Sequence, residues 1–157
     1  MTQTLNLLFK EIEGSWIYNQ TFYCLINKVI KINKYKMNII KLNSFENQKN
    51  FNKFDKNNYI YEYGKPQQGK VIYKYKDIKY SKNTSCFIER IDDPISIKYN
   101  MQLYEKNYLK INCKTEKINY SEYIYAINKN LRISFILVKK FNKCIAISFT
   151  SQIKINI

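Results

Sequence analysis

Glu122 and Arg132 are the residues of this chain whose types and spacing hold the most chemistry. Both lie in SEYIYAINKNLRISFILVKKFNKCIAISFTSQIKI, residues 121–155. A guanidinium presents a planar fork of donors, and an acid and an arginine together could orient a ligand as the polar floor of a site. The arginine is rare here: of 27 basic residues, only Arg90 and Arg132 are arginines.

Whether these two groups can meet one ligand depends on how the chain turns between them. The stretch alternates with the period of two that marks strands. Asn128-Lys129-Asn130 reads as a three-residue hairpin loop, in which Asn tolerates the left-handed conformation. Ala126 then faces Arg132, Ile124 faces Ser134 and Glu122 faces Ile136, so Glu122 and Arg132 share a face. A two-residue loop would put them on opposite faces.

Taking Lys139–Lys143 as the next loop pairs Val138 with Cys144, Ile136 with Ala146, Ser134 with Ser148 and Arg132 with Thr150. The Glu122/Arg132 face is then mostly small, and the opposite face carries Tyr123, Tyr125, Ile133, Phe135, Ile147 and Phe149. Such a face is either the wet side of a sheet or the wall of a cavity, with small side chains leaving room for a ligand. Lysines fill the loops at Lys129, Lys139, Lys140 and Lys143, and neither strand face carries one before Lys154. That distribution favours a sheet covered on both sides, and hence the cavity.

The elements that must position these strands are themselves mostly strands. Segments 15–26, 28–33, 36–42, 58–63, 70–76, 85–91, 95–104, 107–114, 118–127, 131–138 and 143–155 are rich in Ile, Val, Tyr and Phe, as strands are. Segment 36–42 also fits a helix. A helix is expected over 1–14: Leu5, Leu8, Phe9 and Ile12 form one apolar stripe, with Thr2 or Thr4 as cap and Gly14 as terminator. The polar run at about 43–58, YGKPQQGK and IDDPI read as loops. The expectation is one domain spanning 1–157. Its fold class is all-β, a closed antiparallel β-barrel of eight to ten strands over 15–157 behind an N-terminal helix, with a sandwich as the alternative.

Composition narrows the chemistry. The chain has no histidine, which removes His general bases, Ser/His and Cys/His dyads and His-containing zinc sites. Cys24, Cys86, Cys113 and Cys144 form no C-x-x-C pair and read as free buried thiols in a reducing compartment, with no metal. The net charge of +15 suits an anionic ligand or an acidic protein. Yet Lys, Ile, Asn and Tyr make up 85 of 157 residues. All four use A/T-rich codons, so much of the lysine is explained by a small A/T-rich genome such as a plastid's. A nucleic-acid-binding barrel would use the same Tyr and Lys, but the tyrosines are spread along the strands without a compact aromatic–basic motif. No run of 18 apolar residues predicts a membrane span, and the first residues carry neither a signal-peptide pattern nor a transit segment.

Gly14-x-Trp16 followed by Tyr18-Asn19-Gln20-Thr21, then Glu122-Tyr123-Ile124-Tyr125, Asn130-Leu131-Arg132-Ile133-Ser134 and Ile147-Ser148-Phe149-Thr150-Ser151-Gln152-Ile153-Lys154, resembles the motif series of the S-type phycobiliprotein lyases, the CpcS/CpeS family and its plastid-encoded relatives. The resemblance implies a calycin-type barrel, similar to lipocalins and fatty-acid-binding proteins. It implies a transferred linear tetrapyrrole (phycoerythrobilin or phycocyanobilin), with no permanently bound cofactor. The bilin would be attached through a thioether to a cysteine of an apo-phycobiliprotein α or β subunit, in a plastid stroma. A homodimer or a second lyase subunit stays open; no nucleic acid is implied. The site residues implied are Glu122 and Arg132 as the catalytic pair, with Trp16, Thr21, Gln20, Ser134, Ser148, Thr150 and Gln152 as bilin contacts. Gln20, Ser134 and Gln152 replace an arginine, an arginine and a glutamate of the family pattern. A carrier of another anionic or amphiphilic ligand is the alternative.

Overall fold

The computed structural model describes residues 12–41, 58–63, 70–76, 85–92, 95–104 and 108–155. Ten strands run in chain order: β1 (Gly14–Cys24), β2 (Val29–Lys41), β3 (Asn58–Tyr63), β4 (Lys70–Lys76), β5 (Ser85–Asp92), β6 (Ile95–Tyr104), β7 (Tyr108–Lys114), β8 (Ile118–Asn128), β9 (Leu131–Lys140) and β10 (Lys143–Ile155). Each pairs antiparallel with its chain neighbour. β1 pairs with β10 as well as β2, so the ladder runs round into a barrel. Closure leaves few strand edges; among the described residues the first half of β2, Val29–Lys36, is paired on its β1 side alone, since β3 meets β2 only over Met37–Lys41.

The sequence read two strands where the structure has one. The expected segments 28–33 and 36–42 leave a break at Lys34-Tyr35, yet β2 is continuous and pairs residue for residue with β1, Lys34 with Asn19 and Tyr35 with Tyr18. The long partner strand supplies a ladder that outweighs the local pattern. The same ladder makes residues 36–41 strand and not helix. Of the helix expected over 1–14, residues 1–11 lie outside the described residues, and Gly14 is already the first residue of β1. The loops at 43–57, 64–69 and 93–94 lie outside them too. No helix among the described residues is long and apolar enough to cross a membrane.

Two bulges set which side chains point inward. Between β8 and β9 the turn proper is Lys129-Asn130, and a bulge falls between Ala126 and Asn128. A two-residue turn alone would swap the faces; the extra residue restores them. Ala126 therefore faces Arg132, Ile124 faces Ser134 and Glu122 faces Ile136, the register read from the sequence. The means differ from the expected left-handed Asn. Among the described non-glycine residues only Lys28, Phe141 and Asn142 have positive φ. Instead Asn130 N–H donates to Asn128 Oδ1 at 2.8 Å, an Asx turn.

The β9–β10 connection departs further from expectation. It is not a five-residue loop but a two-residue turn, Phe141 (φ 46) and Asn142 (φ 63), both left-handed as the favoured tight hairpin demands. A bulge between Cys144 and Ala146 again restores parity. Arg132 faces Gln152, Ser134 faces Thr150, Ile136 faces Ser148 and Val138 faces Ala146, a slip of two residues from the expected pairing. An even slip keeps every side chain on its face, which is why the cavity face was legible although its partners were not.

Inside, Trp16, Met37, Ile39, Ile88, Met101 and Leu109 are nearly or fully buried, each contributing about 1.5–3 kcal/mol of hydrophobic stabilisation. The outer face of the last strands is not covered as the lysine distribution suggested: Phe135, Ile147 and Phe149 are 47%, 40% and 41% exposed. Cys24 and Cys113 are half-buried free thiols and Cys144 is an exposed one, against the expectation of buried thiols.

Phe141 is 67% exposed and bulky, in a conformation that costs a non-glycine residue about 1 kcal/mol or more. Phe141→Asn is expected to raise unfolding stability by about 0.5–1 kcal/mol, read as a higher denaturant midpoint at unchanged slope.

Candidate functional site

One cavity of about 180 Å³ lies within the barrel. Its walls are mostly apolar or aromatic, including Tyr18, Tyr35, Met37, Tyr61, Ile88 and Ile111. Tyr18 and Tyr35, cross-strand neighbours on β1 and β2, stack at 5.1 Å with their planes 19° apart. Glu122 and Arg132 are the two charged residues among its described lining. Strand alternation puts both on the inner face, Glu122 from β8 and Arg132 from β9.

Arg132 is 3% exposed. Its guanidinium carbon sits 4.6 Å from the centroid of the Trp16 ring. Lys154, the cross-strand partner of Trp16, places its Nζ 5.5 Å from the same ring. Contacts of this kind contribute about 0.5–2 kcal/mol as they lose water. The ring is held in turn by Nε1–H donating to the Ile12 carbonyl at 2.8 Å. Gly14 lets Lys154 close in, since a Cβ there would meet Lys154 Cε at 3.0 Å. Trp16 has no exposed surface and is outside the cavity lining. It is therefore a support behind Arg132 and not the ligand wall the sequence suggested.

Glu122 keeps some solvent contact through the cavity, but its carboxyl is enclosed by protein atoms. Burial pushes its pKa above the ordinary glutamate value. Hydrogen bonds from Tyr120 and Ser134 oppose that rise by stabilising the anion. Tyr120 Oη donates to Glu122 Oε2 at 2.7 Å. The partners of this carboxyl are thus two hydroxyls. The other arginine, Arg90, lies outside the lining and hydrogen-bonds Tyr99, whose phenol burial pushes up and Arg90 partly brings back.

The remaining residues named from sequence divide cleanly. Gln20, Ser134, Thr150 and Gln152 line the cavity with the charged pair. Gln20 Oε1 accepts from Asn33 Nδ2 at 3.4 Å, and Gln152 stands across from Arg132 on one side and Tyr18 on the other. Ser148 is on the inner face and buried, but outside the lining, and its Oγ has no hydrogen-bond partner. Thr21 is exposed on the outer face, one step along β1 from Gln20 and so pointing the opposite way. It cannot touch a ligand in the cavity. Sequence reasoning missed Tyr120 and Tyr18, although each is two residues from a chosen site residue and shares its face. Tyr35, Tyr61, Ile88 and Ile111 come from strands joined to the site by barrel closure alone.

The fold and the cavity together define a small antiparallel barrel with a mostly apolar ligand chamber and one acid–arginine pair inside it. No family model matches the sequence. The chain is 30% identical over 152 residues, 97% of its length and 98% of the relative's, to a chromophore lyase CpcS/CpeS homolog of Gracilaria tenuistipitata var. liui. It belongs to the CpcS/CpeS chromophore lyase family. In fold it is similar to the S-type phycobiliprotein lyase CPES of Guillardia theta, with a TM-score of 0.70, 11% identity and coverage of 98% of this chain and 93% of that one. It is also similar to a protein of unknown function from the DUF3598 family of Nostoc punctiforme, with a TM-score of 0.58, 11% identity and coverage of 93% of this chain but 48% of that one.

A glutamate whose folded-state pKa is raised keeps its proton longer in the native protein than in the unfolded chain. Stability therefore falls as pH rises from about 4.3, the ordinary glutamate value, toward the raised one. Glu122→Gln has no proton to lose. Its melting temperature is expected to exceed the parent's at pH 7 and to lose that advantage at pH 4, measured by a thermal unfolding series across pH.

Proposed function

We propose that this protein is a bilin lyase that binds a linear tetrapyrrole in the barrel cavity and delivers it to a cysteine of an apo-phycobiliprotein subunit. The reading rests on membership of the chromophore lyase family together with one observation, a cavity whose charged lining among the described residues is Glu122 and Arg132. The Arg132 guanidinium would pair a propionate. The Tyr18–Tyr35 stack and the aliphatic wall would lie along the conjugated rings. Glu122 would meet the pyrrole nitrogens: burial raises its pKa, and a protonated tetrapyrrole beside it would lower it again, because an adjacent cation favours the charged form.

In the transfer itself the acceptor's thiol adds across an exocyclic double bond of the bilin A-ring. The sulfur–carbon bond forms, the carbon–carbon double bond becomes single, and the thiol proton ends on the bilin. No oxidant enters, and the lyase supplies no nucleophile. Its part is to hold the bilin in one conformation, shield it and leave one end accessible. A cavity of about 180 Å³ is below the usual ligand-pocket range of about 300–1,000 Å³. A tetrapyrrole would be enclosed in part, with the remainder at the mouth within reach of a thiol. Phycoerythrobilin and phycocyanobilin are the two ligands to compare. The share of residues with A/T-rich codons supports a plastid-encoded protein working in the stroma, which organelle fractionation would test.

Mixing the purified protein with each bilin should shift and sharpen the visible absorption, and adding an apo-subunit should give a covalent, colored adduct. Arg132→Met is expected to weaken bilin binding by about tenfold to a hundredfold, the loss of a charged hydrogen-bond pair. Glu122→Gln should alter the spectrum of the bound bilin. Unchanged spectra and transfer in both variants would rule out the assigned roles; tight binding without transfer would mark a carrier.

A further inference from the structure

We infer that the outer face of β8, β9, β10, β1 and β2 is a docking surface for an acidic protein. On the lyase reading, on which this identification rests, that partner is the acceptor subunit. The face is built by the same alternation that builds the cavity. One cross-strand row runs Ile32, Thr21, Phe149, Phe135, Tyr123. The next runs Ile30, Tyr23, Ile147, Leu137. Ile32 is 78% exposed and Ile30 63%. Phe135 and Phe149 pack edge to face at 5.1 Å, so the centre is an ordered aromatic pair and not isolated side chains. A contiguous outward apolar patch on a barrel that has already satisfied its own core marks an interaction site.

Charge selects the occupant. These five strands contain one carboxylate, Glu122, and it faces the cavity. Glu13 and Glu116 lie beyond the strand ends. Exposed Lys34 and Lys36 border the rows on β2, and Lys139 on β9. Lys28, Lys129 and Lys143 stand at the turns. An apolar centre with a cationic rim and no outward acid in the strands complements an acidic protein surface. A second copy would set this same rim against itself in a chain of net charge +15, since a two-fold contact is self-facing. A nucleic-acid strand needs cations interleaved with stacking rings along a groove, whereas here Lys110 lies over Tyr123 only at the end of the first row and the middle is Ile and Phe.

The test uses Phe135→Ser/Phe149→Ser and, separately, Lys34→Glu/Lys139→Glu, none of which touches the cavity. Bilin uptake and its spectrum should match the parent's, while transfer to the apo-subunit falls at least tenfold. The parent's transfer rate should also fall as salt rises from about 50 to 300 mM. Parental transfer rates in both variants overturn the surface. So does a parent dimer that the serine variant dissolves in sedimentation, or retention on RNA or on phosphatidylglycerol vesicles that the variants lose while keeping transfer. Should the parent take up no bilin at all, the lyase reading fails by itself. Calorimetry of subunit binding then reads the surface alone, and equal affinity of parent and variants overturns it.

Discussion

Everything in this molecule depends on the parity of its strand pairing. In a closed antiparallel sheet each residue faces either the chamber or the solvent, and a slip of one exchanges the two sets over a whole strand. The two tight turns at Lys129-Asn130 and Phe141-Asn142 would each produce such a slip. The bulges beside them, at Ala126/Asn128 and Cys144/Ala146, cancel it. The acid on β8, the arginine on β9 and the polar groups of β10 meet in one chamber because one extra residue stands beside each turn, before the first and after the second. The outward Phe135–Phe149 pair is the other consequence of the same parity.

A chamber with charges inside has to hold them largely away from bulk water, and here the two charges have different surroundings. The guanidinium of Arg132 lies against the indole of Trp16, which is anchored to the Ile12 carbonyl. Glu122 is restrained by the hydroxyls of Tyr120 and Ser134, partners that lessen the cost of its charge without abolishing it. The result is a buried positive group and an acid whose pKa is raised by burial. That combination fits a ligand carrying both carboxylates and basic ring nitrogens, as the family's chromophores do. Gln20, Ser134 and Gln152, where the family pattern is charged, all fall on or beside this pair. The chamber is accordingly less charged than the pattern implies.

The sequence by itself determined the strand-rich class, the inward face of β8 and β9, and the acid–arginine pair, because period-two alternation is local and survives an even error in register. It also carried the family, through short motifs at both ends of the chain. It misled where a property depends on what stands across the sheet. Lys34-Tyr35 reads as a break between two strands and is ladder. Thr21 sits in a family motif and faces outward. Trp16 reads as a ligand wall and is covered, because Lys154 from β10 and Arg132 from β9 close over it. Only the tertiary structure decided that β1 joins β10, that Tyr35 and Tyr61 complete the wall, and that the bulky face of the last strands stays open to solvent. Those outcomes depend on contacts between residues more than a hundred positions apart in the case of β1 and β10, and no local pattern encodes which strand will be the neighbour.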